Sequence, residues 1–312
     1  MSVAPILVDV ALVAAAVVAL WLGARHLVDG ATLVAGRLGL PGLVVGLTVV
    51  AFGTSAPEFA VTVDAALAGE ADVSVANVVG SNVVNLGFVL GASAVVRALP
   101  TSTALVRRDG VVLLGTTALV FVLLGDLLLS RPEGVLLFAM LVAYLAVLAR
   151  SGSDRVRIDD EAIDTVGPAA VIGLLGGLAV VLAGAHLLVL SAVGLARDVG
   201  VSEWTIGVTV VAAGTSVPEF ATSVVAVRRG RPGLSAGNLV GSCIFNLLGV
   251  LGLAASVRAL PVAASATASM WWLAAFVVVA ITLLWTRRVL SRLEGGLLIV
   301  LNAVNWIVDF LP

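Results

Sequence analysis

The sequence predicts an all-α polytopic membrane protein, with about ten transmembrane helices arranged as two inverted five-helix repeats. Three observations carry this prediction. The composition is strongly apolar, the apolar runs are separated by charged or Gly/Pro breaks, and one motif occurs twice in a single register.

Of the 312 residues, 61% are hydrophobic and 12% are charged, whereas a soluble domain is roughly half apolar and about a quarter charged. The charges are clustered. Gly110 to Ser130, Val166 to Ala185 and Ala263 to Trp285 are almost free of charge, and each is long enough to cross ~30 Å of hydrocarbon. A single cysteine, Cys243, excludes an intramolecular disulfide and a cysteine-built metal site, and two histidines, His26 and His186, are too few for a zinc cluster. The first apolar run follows no basic segment, so it reads as a retained first helix rather than a cleaved signal.

The first five spans lie near 5–36, 43–68, 73–98, 109–129 and 132–150, and the second five near 166–197, 204–227, 234–257, 264–286 and 292–311. The most hydrophilic segment, 151–165, reads as a linker between a first repeat, 1–150, and a second, 166–312. The halves align without a gap at an offset of 161 residues: GLTVVAFGTSAPEFA at 46–60 and GVTVVAAGTSVPEFA at 207–221 share 12 of 15 positions. The same offset pairs Gly80-Ser81 with Gly241-Ser242, Asn85 with Asn246, and VRALP at 96–100 with VRALP at 257–261. Composition alone does not align polar residues in this way.

Each repeat holds an odd number of spans, so the second copy enters the membrane inverted. Arginine placement agrees. Loops after the odd-numbered spans carry 13 of the 17 arginines, and the opposite face carries Arg131, Arg197 and Arg258. The arginine-rich side is expected to be cytoplasmic, with the linker inside and both termini extracytoplasmic in the cell membrane.

The chemistry sits in spans two and seven. Gly53-Thr54-Ser55-Ala56-Pro57-Glu58 and its copy ending at Glu219 fall halfway along each span, where a carboxylate costs about 2.5–3.5 kcal/mol on insertion scales. Pro57 and Pro218 remove a backbone donor, so the carbonyls of Gly53 and Gly214 are expected to lose their helical partners. The products are kinked helices offering carbonyl, hydroxyl and carboxylate oxygens, the hard donors that Ca2+ and Na+ prefer. Spans three and eight add Asn77-x-x-Gly80-Ser81-x-x-x-Asn85 and Asn238-x-x-Gly241-Ser242-x-x-x-Asn246. Serine and asparagine four apart share a helical face, and the spans' directions bring both polar clusters to the midplane.

Other polar residues read more plainly. Gly91, Gly252, Thr62 and Ser223 suit ordinary helix packing, and Cys243, which stands where the first repeat has Asn82, is expected to pack. Arg25 and Asp29, four apart on span one, are expected to pair with each other.

With these residues in place, the chain resembles the cation/calcium antiporter superfamily, in particular its sodium/calcium exchanger branch, over essentially its whole length. The resemblance implies a secondary antiporter that exchanges sodium for calcium by alternating access. It implies Glu58 and Glu219 as central ligands. Thr54, Ser55, Thr215, Ser216, Ser81, Ser242, Asn85 and Asn246, with the backbone carbonyls of Ala51 and Ala212, would complete calcium or sodium coordination. It also implies that spans one and six slide across the bundle, a face that Gly23, Gly30, Gly184 and Gly194 would suit. Some relatives carry aspartate at the position of Asn246, so potassium co-transport is not expected here. Proton/calcium exchangers of the superfamily usually show a different motif and rank second.

Two further function classes fit these residues less well. A serine hydrolase needs a base beside its serine, and neither histidine lies in such a motif. A passive channel also uses oxygen-lined sites, but duplicated intramembrane glutamates in an inverted repeat favour alternating access. Nothing in the sequence implies a cofactor, a nucleic acid or a protein partner beyond Ca2+, Na+ and the lipid bilayer. The arginine asymmetry yields a direct check. In a Cys243-free background, cysteines introduced at Ser153 and next to Met1 should label from opposite sides of the membrane, and labelling of both from one side would refute the orientation.

Overall fold

The computed structural model describes residues 3–37, 40, 42–150, 168–198 and 212–310. The linker 151–165 and the first half of the second motif-bearing span, including 207–211, lie outside them. Span one is the helix Val3–Arg37. Span two is a bent pair, Leu43–Thr54 and Ala56–Ala68, with 49° between its arms. Spans three, four and five follow as Ala71–Val96, Leu105–Asp126 and Arg131–Arg150. Span six is Pro168–Asp198, and span seven is represented by Ala212–Gly214 and Val217–Arg228. Span eight is Pro232–Val257, and spans nine and ten are Ser265–Arg287 and Arg292–Phe310. The order and limits agree with the apolar runs of the sequence.

The inverted repeat is written into the backbone as well as the sequence. Spans three and eight each contain a five-residue π-helical turn, Asn85–Val89 and Asn246–Val250, at the same offset. Gly69 and Gly230 end the motif-bearing helices with φ of 91° and 72°, the left-handed region that glycine enters without steric cost. Leu127 and Arg288, also equivalent, adopt φ of 63° and 52° just before two short strands.

Those strands join the halves crosswise. β1 (Leu99–Pro100) pairs antiparallel with β4 (Val289–Leu290), and β2 (Leu128–Leu129) pairs with β3 (Leu260–Pro261). The repeat offset carries β1 onto β3 and β2 onto β4, so the two ribbons are images of each other at opposite ends of the bundle. In each, a leucine pair faces inward, Leu99 with Leu290 and Leu129 with Leu260, all buried. At one end Arg258 Nη1 donates to the carbonyl of Leu67 at 2.9 Å, and the Ala263 amide donates to Asp72 Oδ1 at 2.7 Å. At the other the Thr101 amide donates to the carbonyl of Arg288 at 2.8 Å. The repeated VRALP segments thus supply one strand of each ribbon.

Spans one and six pack along each other, and the apolar cluster they form with Leu20, Ala24, Leu27, Leu174 and Val181 continues into the bundle through Val45 and Val50 of span two, Val225 and Ala226 of span seven and Leu234 of span eight. Glycine closes their seam. A Cβ on Gly30 would lie 2.4 Å from the amide nitrogen of Leu174, and one on Gly177 would lie 2.3 Å from that of Leu27. Gly23 and Gly184 serve the same seam, against the amides of Val181 and Leu20. These glycines therefore bind the pair together, rather than forming the face toward the bundle that the sequence suggested for them. Gly194 faces the side chain of Asp9. The paired helices meet the bundle through Leu178, which packs on Gly53, and Val189, which packs on Gly214.

One expected ion pair is replaced. Asp29 does not pair with Arg25 but with Arg229, at 3.2 Å. The end of span seven brings Arg229 beside span one, and neighbouring Arg228 lies 5.2 Å over the ring of Trp21.

The glycine seam makes a stability prediction. Gly30→Val overfills a backbone contact, a change that costs about 1–3 kcal/mol in packed interiors, whereas Gly176→Val adds a side chain where nothing lies within 4 Å. Thermal unfolding in detergent should show a lower midpoint for the first variant only.

Candidate functional site

The two broken helices meet at the centre of the bundle. In span two, Pro57 has no amide to donate back along the helix, and Ser55 leaves the helical region at φ −81°, ψ 12°. Ser216 does the same in span seven, at φ −86°, ψ 4°. Each break starts a new helix whose first turn holds a glutamate, Glu58 or Glu219. A helix N-terminus carries partial positive charge and unsatisfied amides, which favours a carboxylate there.

Both glutamates are fully buried, and the hydroxyls that reach them cross between repeats. Ser55 Oγ donates to Glu219 Oε1 at 2.9 Å, and Ser216 Oγ approaches Glu58 Oε1 at 3.4 Å. Ser242 Oγ adds a contact to Glu219 Oε1 at 3.3 Å. Ser81 and Thr215 exchange a contact at 3.4 Å across the same boundary, and Thr54 Oγ1 approaches Asn238 Oδ1 at 3.2 Å. The motifs of the two halves thus interlock.

A second layer holds the arms in place. Asn77 Nδ2 donates to Thr62 Oγ1 at 2.9 Å and lies 3.2 Å from the carbonyl of Glu58. Its equivalent, Asn238 Nδ2, donates to Ser223 Oγ at 3.1 Å. Thr62 and Ser223, expected to be packing residues, therefore accept hydrogen bonds that tie each motif helix to its neighbour. Gly91 and Gly252 do pack closely, against the carbonyl of Gly295 and the amide of Phe138. Cys243 does more than pack: Asn82 Nδ2 donates to its carbonyl at 3.1 Å.

The unpaired atoms define what the site can do. Glu58 Oε2, Glu219 Oε2, Asn85 Oδ1 and Asn246 Oδ1 are buried without a hydrogen-bond partner. Two come from each repeat, in equivalent positions. Among the described residues the ion pairs are Arg108–Asp109 and Asp29–Arg229, so no cationic side chain neutralises either glutamate. Uncompensated buried oxygens are costly, and a bound cation is the group that these four would satisfy.

Of the remaining residues named from the sequence, Ser81, Ser242, Thr54 and Ser216 are buried beside the glutamates, and Thr215 nearly so. The carbonyl of Ala51 accepts the amide of Ser55 at 3.0 Å, so it takes part in the helix before the break. Ala212 opens the short helix that precedes Thr215.

The chain matches the family model described as sodium/calcium exchanger protein over residues 8–150 and 169–308. The chain belongs to that family. CaxA of Alkalimonas amylolytica is 34% identical over 311 residues, 96% of either chain. The sodium/calcium exchanger MaX1 of Methanosarcina acetivorans is 27% identical over 282 residues, 77% of this chain and 81% of its own. Among solved structures, the sodium-calcium exchanger NCX_Mj superposes with a TM-score of 0.86 at 27% identity, covering 97% of this chain and 99% of that one. As a member of the exchanger family, the chain is a multi-pass membrane transporter and not an enzyme.

Sequence reasoning passed over one buried acid. Asp109, at the start of span four, is fully buried, pairs with Arg108 Nε at 2.7 Å and accepts the Tyr144 hydroxyl at 3.0 Å. It fastens spans four and five. The offset places Met270 and Asn305 at the positions of Asp109 and Tyr144, so no duplicated signal marked it. An aspartate directly after two arginines at the head of an apolar run was the only clue.

The second layer is open to test. Asn238→Leu strands the hydroxyls of Thr54 and Ser223 in a buried setting, where an unmade hydrogen bond costs about 1–3 kcal/mol. The unfolding midpoint of the purified variant should fall accordingly, and an unchanged midpoint would deny the clasp.

Proposed function

We propose that the chain is a secondary active antiporter that exchanges sodium for calcium across the cell membrane by alternating access, at a single midplane site shared by both repeats. The observation that carries this reading is the set of four unpartnered buried oxygens on Glu58, Glu219, Asn85 and Asn246. Two ionised carboxylates balance one divalent cation, and amide and hydroxyl oxygens extend the shell toward the six to eight that calcium takes. Ser55, Ser216, Ser81, Ser242, Thr54 and Thr215, with the carbonyls of Ala51 and Ala212, supply further donors for calcium or for sodium in its place. Ion competition for shared oxygens is what couples the two fluxes.

The same reading assigns the linker 151–165 and the arginine-rich loops to the cytoplasm, and both termini to the outside. The family match and the reciprocal Ser–Glu contacts support one shared site. A proton/calcium antiporter is the alternative outcome of the test below.

Purified protein in sealed vesicles should take up calcium when loaded with sodium, lose that uptake when the sodium gradient is collapsed, and be unaffected when choline replaces potassium. Uptake driven by a proton gradient and indifferent to sodium would transfer the protein to the proton-coupled class, and flux indifferent to both gradients would make it a channel. Removing one partner of a buried charge pair costs about 3–5 kcal/mol. Glu58→Gln and Glu219→Gln should therefore each reduce exchange by at least about a hundredfold while leaving the protein inserted. Acid should inhibit in competition with calcium, because protons and calcium contend for the same carboxylates. Near-normal transport by the double variant would refute the site.

A further inference from the structure

The two site asparagines are equivalent by repeat but not by environment. Asn246 Nδ2 donates to Asn82 Oδ1 at 3.1 Å, which leaves Asn246 Oδ1 unpartnered, whereas neither polar atom of the Asn85 amide has a partner. The difference traces to positions 82 and 243, which are themselves equivalent. Asn82 Nδ2 donates to the carbonyl of Cys243 at 3.1 Å, and Cys243 Sγ faces the carbonyl of Asn82 at 4.0 Å. Each side chain thus addresses the other's backbone. An amide has an oxygen left over to accept a further bond, and a thiol that donates retains only a weakly accepting sulfur.

Resting on the sodium/calcium reading of this site, we infer that Asn82 is a positioning residue that sets the amide of Asn246 with its oxygen toward the cation, and that Cys243 leaves the amide of Asn85 unset. A backbone carbonyl only accepts, so the Asn82 atom facing Cys243 is the nitrogen, and its oxygen faces Asn246. The Asn246 atom that meets this oxygen must in turn be a donor. Its own oxygen is then directed away from Asn82, the orientation a cation requires. Asn82 is fully buried, as are Asn85, Cys243 and Asn246, so no solvent competes with the relay. Holding a ligand oxygen in its bound orientation before the ion arrives removes an ordering cost from binding. The halves of the site therefore differ: one asparagine is preset, and the other, held by no hydrogen bond, is fixed only when an ion binds.

The test is calcium titration of the purified full-length protein in detergent, by calorimetry or with radioactive calcium. Asn82→Ala should weaken calcium binding on the order of tenfold, the scale of one lost hydrogen bond. In an Asn246→Ala background, titrated at higher calcium, the same change should matter by no more than about twofold, because the residue it acts through is gone. A merely structural role would weaken binding equally in both backgrounds, and that outcome overturns the inference. Should Asn82→Ala fail to fold, Cys243→Asn decides the matter, since it supplies rather than removes an acceptor. It should tighten calcium binding several-fold, and the gain should vanish in an Asn85→Ala background. A folded Cys243→Asn protein with unchanged affinity would overturn the inference. Wild-type protein that binds no calcium would instead reject the proposed function itself, a result separable from additive losses on a calcium-binding wild type.

Discussion

Two carboxylates enclosed in a bundle that crosses hydrocarbon impose the constraint on which the rest of this molecule depends. The penalty for an unneutralised acid in such a place is severe, and among the described residues it is met without a basic side chain. It breaks the two helices that carry the acids, so that each glutamate sits in a first turn and receives the favourable end of a helix dipole. It then draws a hydroxyl from the opposite repeat to each acid, Ser55 to Glu219 and Ser216 to Glu58. Only half of each carboxylate is satisfied in this way. The other oxygen is left without a hydrogen-bond partner, the observation on which the proposed cation site rests.

The surrounding frame keeps these broken helices from collapsing. Asn77 and Asn238 fasten each motif helix to its neighbour, and the crossed ribbons lock the outer ends of the two halves. Spans one and six contribute no polar group to the centre among the contacts described. They lie over it through Leu178 and Val189, and are joined to each other by a glycine seam. The Asp29–Arg229 pair between spans one and seven, half exposed, is a contact weak enough to break and remake.

Much of this was legible in the sequence because the repeat doubled every signal. The glutamates, the prolines and the Ser–Asn pairs each appeared twice at one offset, which chance resemblance of apolar segments does not produce. The spans were legible because hydrocarbon permits few alternatives. What escaped was whatever the repeat did not double or whatever depends on a distant neighbour. Asp109 has methionine as its counterpart, and its partner Tyr144 lies on another span. Asp29 had a plausible partner four residues away, but a residue two hundred positions later was nearer in space. Thr62 and Ser223 were doubled, yet small hydroxyls are so common in membrane helices that only the facing asparagines gave them a role. Asn82 looked like one member of an unmatched pair, and its importance lies in that mismatch.

The crossed ribbons have a consequence for how the protein is made. β1 lies in the first repeat, and its partner β4 lies between spans nine and ten of the second. While the ribosome is still producing the second half, β1 is an unpaired edge, and Glu58 waits for the hydroxyl of Ser216. The first five helices can therefore enter the bilayer in order but cannot close their own centre. The midplane is complete only once spans seven and eight are in place, and the ribbon of β1 and β4 at one end of the bundle only after span nine has followed. A nascent chain halted before span seven carries Glu58 in the membrane without the hydroxyl of Ser216.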